Sequence, residues 1–163
     1  MPAKSPKIFW LVVGGNDLRV GQCSEEVVVL GILRLAEFLH HKHSEVYVVI
    51  NSILPQQTSI KTKYGKFDIW PSIRSVNEQL EAFCEHHRYF HFYDATSVFM
   101  KKPKSSKPEI IESHMDKDKI HLSMRGHKVW IDGILDFVAK LVFDTEYSDD
   151  ALNNEMDDKV NEG

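Results

Sequence analysis

Ile8-Phe9-Trp10-Leu11-Val12-Val13-Gly14-Gly15-Asn16-Asp17 is the stretch on which the fold turns. An unbroken apolar run, rich in β-branched and aromatic residues, suits a strand buried on both faces rather than a half-solvated one. Two glycines then stop it. Such a strand belongs in a parallel sheet covered by helices on each side.

The downstream pattern supplies those helices. Ser24 can cap a helix that opens with Glu25 and Glu26 and carries Val28, Ile32, Leu35 and Leu39 on one stripe. Residues 46–50 read as a second strand, halted by Asn51, Ser52 and Pro55. Pro71 sits near the first turn of another helix, with Ile73, Val76, Leu80 and Phe83 on one face. Residues 89–93 give a third strand, and Ser123 caps a last helix whose stripe is Trp130, Ile134, Phe137 and Leu141. Between them, residues 101–108 hold four lysines and read as a solvated loop.

Strand and helix alternating in this way, with right-handed crossovers, predict an α/β fold of three layers, α/β/α, with a parallel sheet. Three strands are fewer than an open doubly wound sheet usually holds. The edge beside the first strand should therefore be exposed and the domain N-terminally incomplete.

At 163 residues, 42% hydrophobic and 27% charged, the chain has room for one modest core. Residues 1–7 read as a polar leader, 8–144 as the domain and 145–163 as an acidic, disordered tail. That tail holds seven acidic residues and one lysine, a net of −6 within the chain total of −4, which leaves the body at about +2. A near-neutral body lacks the basic surface of a nucleic-acid binder, and no apolar run is long enough to span a membrane. Cys23 and Cys84 have neither metal-ligand nor disulfide-scaffold spacing, so reduced thiols and a cytoplasmic setting are expected. No cofactor is expected, since G-x-G-x-x-G is absent, and no metal, since the pairs His40/His43 and His86/His87 lack a third ligand.

Two clusters carry chemistry. Gly14, Gly15 and Asn16 follow the first strand's carboxyl end, where sites collect in parallel α/β sheets. Glycine N–H groups and the Asn16 amide there can donate to developing negative charge, as an oxyanion hole requires, although a plain Gly-Asn-Asp turn would look the same. Asp118-Lys119-Ile120-His121 places a carboxylate three residues before an imidazole, within reach to orient it, so that His121 could act as general base. The plainer alternative is a loop histidine beside a solvated charge.

Taken together, Val13-Gly14-Gly15-Asn16-Asp17 and Asp118-Lys119-Ile120-His121-Leu122-Ser123 resemble, in order, the G-x-N-D and D-x-x-H-L-(S/T) blocks of SGNH/GDSL hydrolases. Ser52-Ile53-Leu54-Pro55 resembles that family's L-P segment, and residues 126–130 resemble the opening of its last helix. The resemblance covers residues 8–143. It implies a flavodoxin-like fold, Asn16 as oxyanion donor, His121 as base, Asp118 as its orienting acid, and acyl transfer from a small-molecule ester.

The family's G-D-S block, which bears the nucleophile, has no match, nor does its block with the oxyanion glycine, and no G-x-S-x-G elbow replaces them. Ser24 and Ser123 are helix caps, Ser52 follows a strand outside any matching motif, and Ser105 and Ser106 sit in the basic loop. The nucleophile is unassigned. Two readings follow: a domain of esterase lineage, inactive or weakly active as this chain, whose missing strand and serine are encoded upstream or supplied by another chain; or a non-catalytic binding module on a hydrolase scaffold. In either, the exposed sheet edge invites strand addition or homo-oligomerisation.

Overall fold

The computed structural model describes residues 7–56, 59–62, 65–102 and 109–161. Along the chain run β1 (Lys7–Leu11), α1 (Gly15–Arg19), α2 (Glu25–Lys42), β2 (Val46–Asn51), β3 (Ser59–Thr62), β4 (Gly65–Asp68), α3 (Trp70–Cys84), β5 (Phe90–Tyr93), α4 (Thr96–Phe99), β6 (Met100–Lys101), β7 (Glu109–Ile110), a 3-10 turn (Glu112–His114) and α5 (Met124–Asn161). The three strands expected from sequence form one parallel sheet in the order β1-β2-β5. β2 lies at its centre with every residue buried.

Alternation along β2 sorts the core into two layers. Val48 and Ile50 join Val28, Ile32 and Ala36 of α2 and Ile73, Val76 and Leu80 of α3. Val49, between them, joins Trp10, Tyr93 and the α5 stripe Trp130, Ile134, Phe137 and Leu141. Helices on both faces of a parallel sheet make the three-layer α/β/α arrangement. Each fully buried aliphatic side chain contributes about 1.5–3 kcal/mol.

Details differ from the periodicity. β1 ends at Leu11, opposite Ile50, so Val12 and Val13 run past the last paired position and are exposed. On α2 the fourth-turn seat against the sheet goes to Ala36, fully buried, while Leu35 is rotated to the flank and is 38% exposed. The glycine turn is a short helix, α1, entered through Gly14 at φ 97°. An antiparallel hairpin, β3 with β4, follows the second strand, and its short polar strands gave no alternating pattern to read. α5 continues as helical backbone to Asn161, across the segment expected to be a disordered tail. Within it Ala151, Leu152, Glu155 and Met156 are good helix formers. Most of the lysine-rich loop, including Ser105 and Ser106, lies outside the described residues, bracketed by the antiparallel pair β6 and β7.

Two buried asparagines fix how these layers meet. Asn51, at the end of β2, accepts at Oδ1 from Trp10 Nε1 (3.2 Å) and Trp130 Nε1 (3.1 Å), and its Nδ2 donates to the Ser52 carbonyl at 2.7 Å. One side chain thus joins β1, β2 and α5. Asn77 of α3 does the same for the loop after β2, accepting from Ile53 N–H at 2.7 Å and donating to Ile53 O at 3.1 Å. Both amides are satisfied where an unsatisfied polar group costs about 1–3 kcal/mol.

Replacing Asn51 with Ala would strand two indole N–H groups and open a small cavity. Loss of about 2–4 kcal/mol is expected from urea unfolding. A change under about 0.5 kcal/mol, the size of an ordinary surface substitution, would show that the two indoles do not depend on it.

Candidate active site

The loop before α5 is built to present one imidazole. Met115 and Leu122 form an antiparallel bridge, the Asp116 N–H donates to His121 O at 2.8 Å, and Lys119 turns the chain at φ 56° with its N–H on Asp116 O at 2.9 Å. A second set of bonds bolts this turn to the helix. Ser123 Oγ donates to the Ser113 carbonyl (2.8 Å) and accepts from Gly126 N–H (3.1 Å), while Ser123 N–H donates to His114 O at 3.1 Å. Gly126 lies so close to the His114 carbonyl that any side chain there would collide with it.

Inside the turn, Asp118 Oδ1 accepts from the backbone N–H groups of Ile120 (2.9 Å) and His121 (3.0 Å), and Oδ2 lies 2.5 Å from His121 Nδ1. A carboxylate only accepts, so Nδ1 is the donor, and in the neutral ring Nε2 is then the nitrogen with the lone pair. The His121 side chain is 75% exposed, which leaves Nε2 open to a reactant. This is the geometry of a base held in one tautomer by an acid.

Those bonds favour the ionised carboxylate. The backbone N–H of His121, then that of Ile120, then the His121 ring pull the Asp118 carboxyl down to about 2. Because the folded value is depressed, any stabilisation from this group is present above the ordinary carboxylate range and is lost as pH falls towards about 2. Asp118 is thus an anion throughout the neutral range.

Asn16 sits elsewhere, on the exposed surface of α1. Arg19 Nη2 donates to its Oδ1 at 3.1 Å. Arginine has no acceptor, so the amide oxygen faces it and the NH2 group is left as a donor. Arg19 was not singled out from the sequence; its i,i+3 spacing from Asn16 becomes informative only once α1 is known to be helical. Gly14 is required by its left-handed backbone, at φ 97°, and is tightly packed, whereas the close neighbour of Gly15 is the flexible end of Gln56. A Cβ on Gly14 would lie 2.9 Å from Ile32 Cδ1 and 3.0 Å from Ile53 Cδ1, and one on Gly15 would lie 2.5 Å from Gln56 Nε2.

Asp118 and His121 are therefore brought together, and Gly14, Gly15 and Asn16 form a second cluster. Among the described residues no hydrogen bond or ion pair joins the two. A groove of about 320 Å³ beside Gly14 is lined by Val13, Asp17, Cys23, Val27 and Ile32 among others, without His121 or Asp118. Ser24 Oγ accepts from Val27 N–H at 3.4 Å, and the buried Ser52 Oγ accepts from Ala95 N–H at 2.9 Å. Together with the Ser123 cap, three of the five serines weighed from sequence thus have structural partners. No described serine hydroxyl is hydrogen-bonded to His121.

The Asp118 geometry makes a direct prediction. An NMR carboxyl titration of the wild type should give an Asp118 midpoint near 2, and His121→Ala should raise it while the two backbone donors still hold it below the ordinary value. A wild-type midpoint near the ordinary value of about 3.9 would mean that the turn does not form as described.

No protein-family model matches the chain, and no curated protein is similar to it at a significant level. Solved structures are similar. A Bacteroides fragilis NCTC 9343 chain described as an acylhydrolase aligns at TM-score 0.66 and 20% identity, over 85% of this chain and 64% of its own length. A mutant acetyl esterase with an acetate ion aligns at TM-score 0.62 and 14% identity, over 86% of this chain and 60% of the other. A carbohydrate esterase family 3 structure from Talaromyces cellulolyticus aligns at TM-score 0.62 and 15% identity, over 85% and 60%. This chain spans less than two thirds of the length of each of these structures. The fold is accordingly that of an SGNH-type esterase, represented over part of its extent.

Proposed function

We propose that this chain is a domain of serine ester hydrolase lineage that retains the acid–base pair and an oxyanion donor but lacks the nucleophile. The observation that carries the reading is the 2.5 Å contact between Asp118 Oδ2 and His121 Nδ1, with Nε2 facing outward. In the reaction this implies, Nε2 takes a proton from an attacking hydroxyl as it adds to an ester carbonyl. Asp118 stabilises the imidazolium, and the Asn16 amide donates to the oxyanion. His121 then returns the proton to the leaving alkoxide.

In this reading the hydroxyl comes from polypeptide outside this chain, which is supported by the structural engagement of Ser24, Ser52 and Ser123 and by the lack, among the described residues, of a serine hydroxyl bonded to His121. Losing a serine nucleophile typically removes on the order of a million-fold in kcat, so the chain alone should be a poor catalyst. A second reading, a non-catalytic binding module, draws support from the same absence of a serine hydroxyl on His121.

Hydrolysis of p-nitrophenyl acetate separates these readings when the chain, its His121→Ala variant and a form extended by any upstream coding sequence are compared. Turnover only in the extended form, lost again with His121→Ala, is expected. Silence in every form would favour the binding module. Efficient turnover by the unextended chain would contradict the missing nucleophile.

A further inference from the structure

β1 is bonded to β2 alone, and its other edge has no strand among the described residues. Parallel sheets are normally covered on both faces, and an open edge presents a row of unpaired backbone groups. Here the helices on both faces also leave apolar flanks uncovered beside that edge. On α2, Val27, Gly31, Leu35 and Phe38 follow one another at i, i+4, i+8 and i+11. Val27 is 58% and Phe38 55% exposed, and Val27, Gly31 and Leu35 line the groove shared with Val13 and Gly14 just beyond β1. At Gly31 nothing lies within 4 Å of where a Cβ would stand, which leaves room for close backbone approach.

On the opposite face, α5 shows the same thing. Its sheet-facing seam is Trp130, Ile134, Phe137 and Leu141. One flank of that seam turns towards β5, because Gly133 meets the Tyr93 hydroxyl and Lys140 borders a cavity with His91 and Arg88. The other flank, on the β1 side, carries Ile131, 50% exposed, and Leu135, 61% exposed. Two apolar stripes on opposite faces therefore flank one unpaired strand edge.

We propose that this edge is a docking surface for a β/α unit of polypeptide: an apolar strand that pairs with β1, with helices laid over the α2 and α5 stripes. A lone strand would leave both stripes wet, and a lone helix would leave the backbone edge unpaired. α2 makes its main contacts with α3 and β2, so a second copy joined β1 to β1 is the alternative that the test below separates. The similar solved chains also carry more than a third of their length with no counterpart here, room for such a unit. Gly14 and Asp17 border the same groove, so the docked unit abuts the Asn16 turn. The inference stands on packing and holds whether or not the chain hydrolyses esters.

The test uses the full chain. As probe it takes the part of the Bacteroides fragilis acylhydrolase that has no counterpart here, co-expressed as a separate fragment. Alone, the chain should sediment as a monomer with rapidly exchanging β1 amides. The fragment should form a 1:1 complex, slow β1 exchange at least about tenfold, and fail to bind Phe38→Glu and Leu135→Glu variants. Both residues are exposed, so circular dichroism should show these variants folded. A wild-type dimer that Phe38→Glu splits would overturn the proposal in favour of a second copy. No complex, or a complex that leaves β1 exchange unchanged, would overturn it outright. Protection without ester turnover would keep the docking surface and count against the proposed function.

Discussion

One amide holds the molecule's layers in register. Asn51 Oδ1 accepts two indole N–H groups, from β1 and from α5, while Nδ2 closes on the Ser52 carbonyl. Indole N–H groups only donate, and burying two of them requires an acceptor with two lone pairs at their meeting point. The carbonyl oxygen of a buried asparagine meets that requirement. Because Trp130 lies in the second turn of α5, the same contact sets the height of the helix above the sheet, and with it the position of the turn that carries Asp118 and His121. Hydrophobic burial makes α5 pack; this bond determines where.

The Asp118/His121 pair is consistent with that frame. His121 owes its tautomer to Asp118, Asp118 owes its charge to two backbone donors and the ring, and the turn that aligns them is tied to α5 through Ser123, Ser113 and His114. Each link is local, within about ten residues, so the pair can be preorganised whatever else the site contains. Asn16 depends on a different set of contacts around α1. Chemistry that uses both clusters needs a reacting group between them, and none of the engaged serines supplies it.

Local features were readable from sequence. Most strand and helix stripe positions, the caps at Ser24 and Ser123 and the Asp118/His121 spacing depend on neighbours a few residues apart, and they appear where local pattern puts them. Long-range bonds were not readable. Asn51 looked like a strand stop, and nothing near it announces that Trp10 and Trp130, 41 and 79 positions away, point at its oxygen. Asn77 was hidden inside an amphipathic helix, and Arg19 in a stretch read as a turn. Leu35 shows the opposite error: it matches the stripe by spacing, yet Ala36 takes the seat because the helix lies against α3 as well as the sheet.

Whether any serine of this chain is activated by His121 is read out by intact mass spectrometry after exposure to a fluorophosphonate. Serines activated by a histidine react with such a probe, whereas capping serines do not. With the nucleophile supplied from elsewhere, as proposed, the wild-type chain keeps its unmodified mass. A stoichiometric adduct on one serine, lost in His121→Ala, would contradict that proposal.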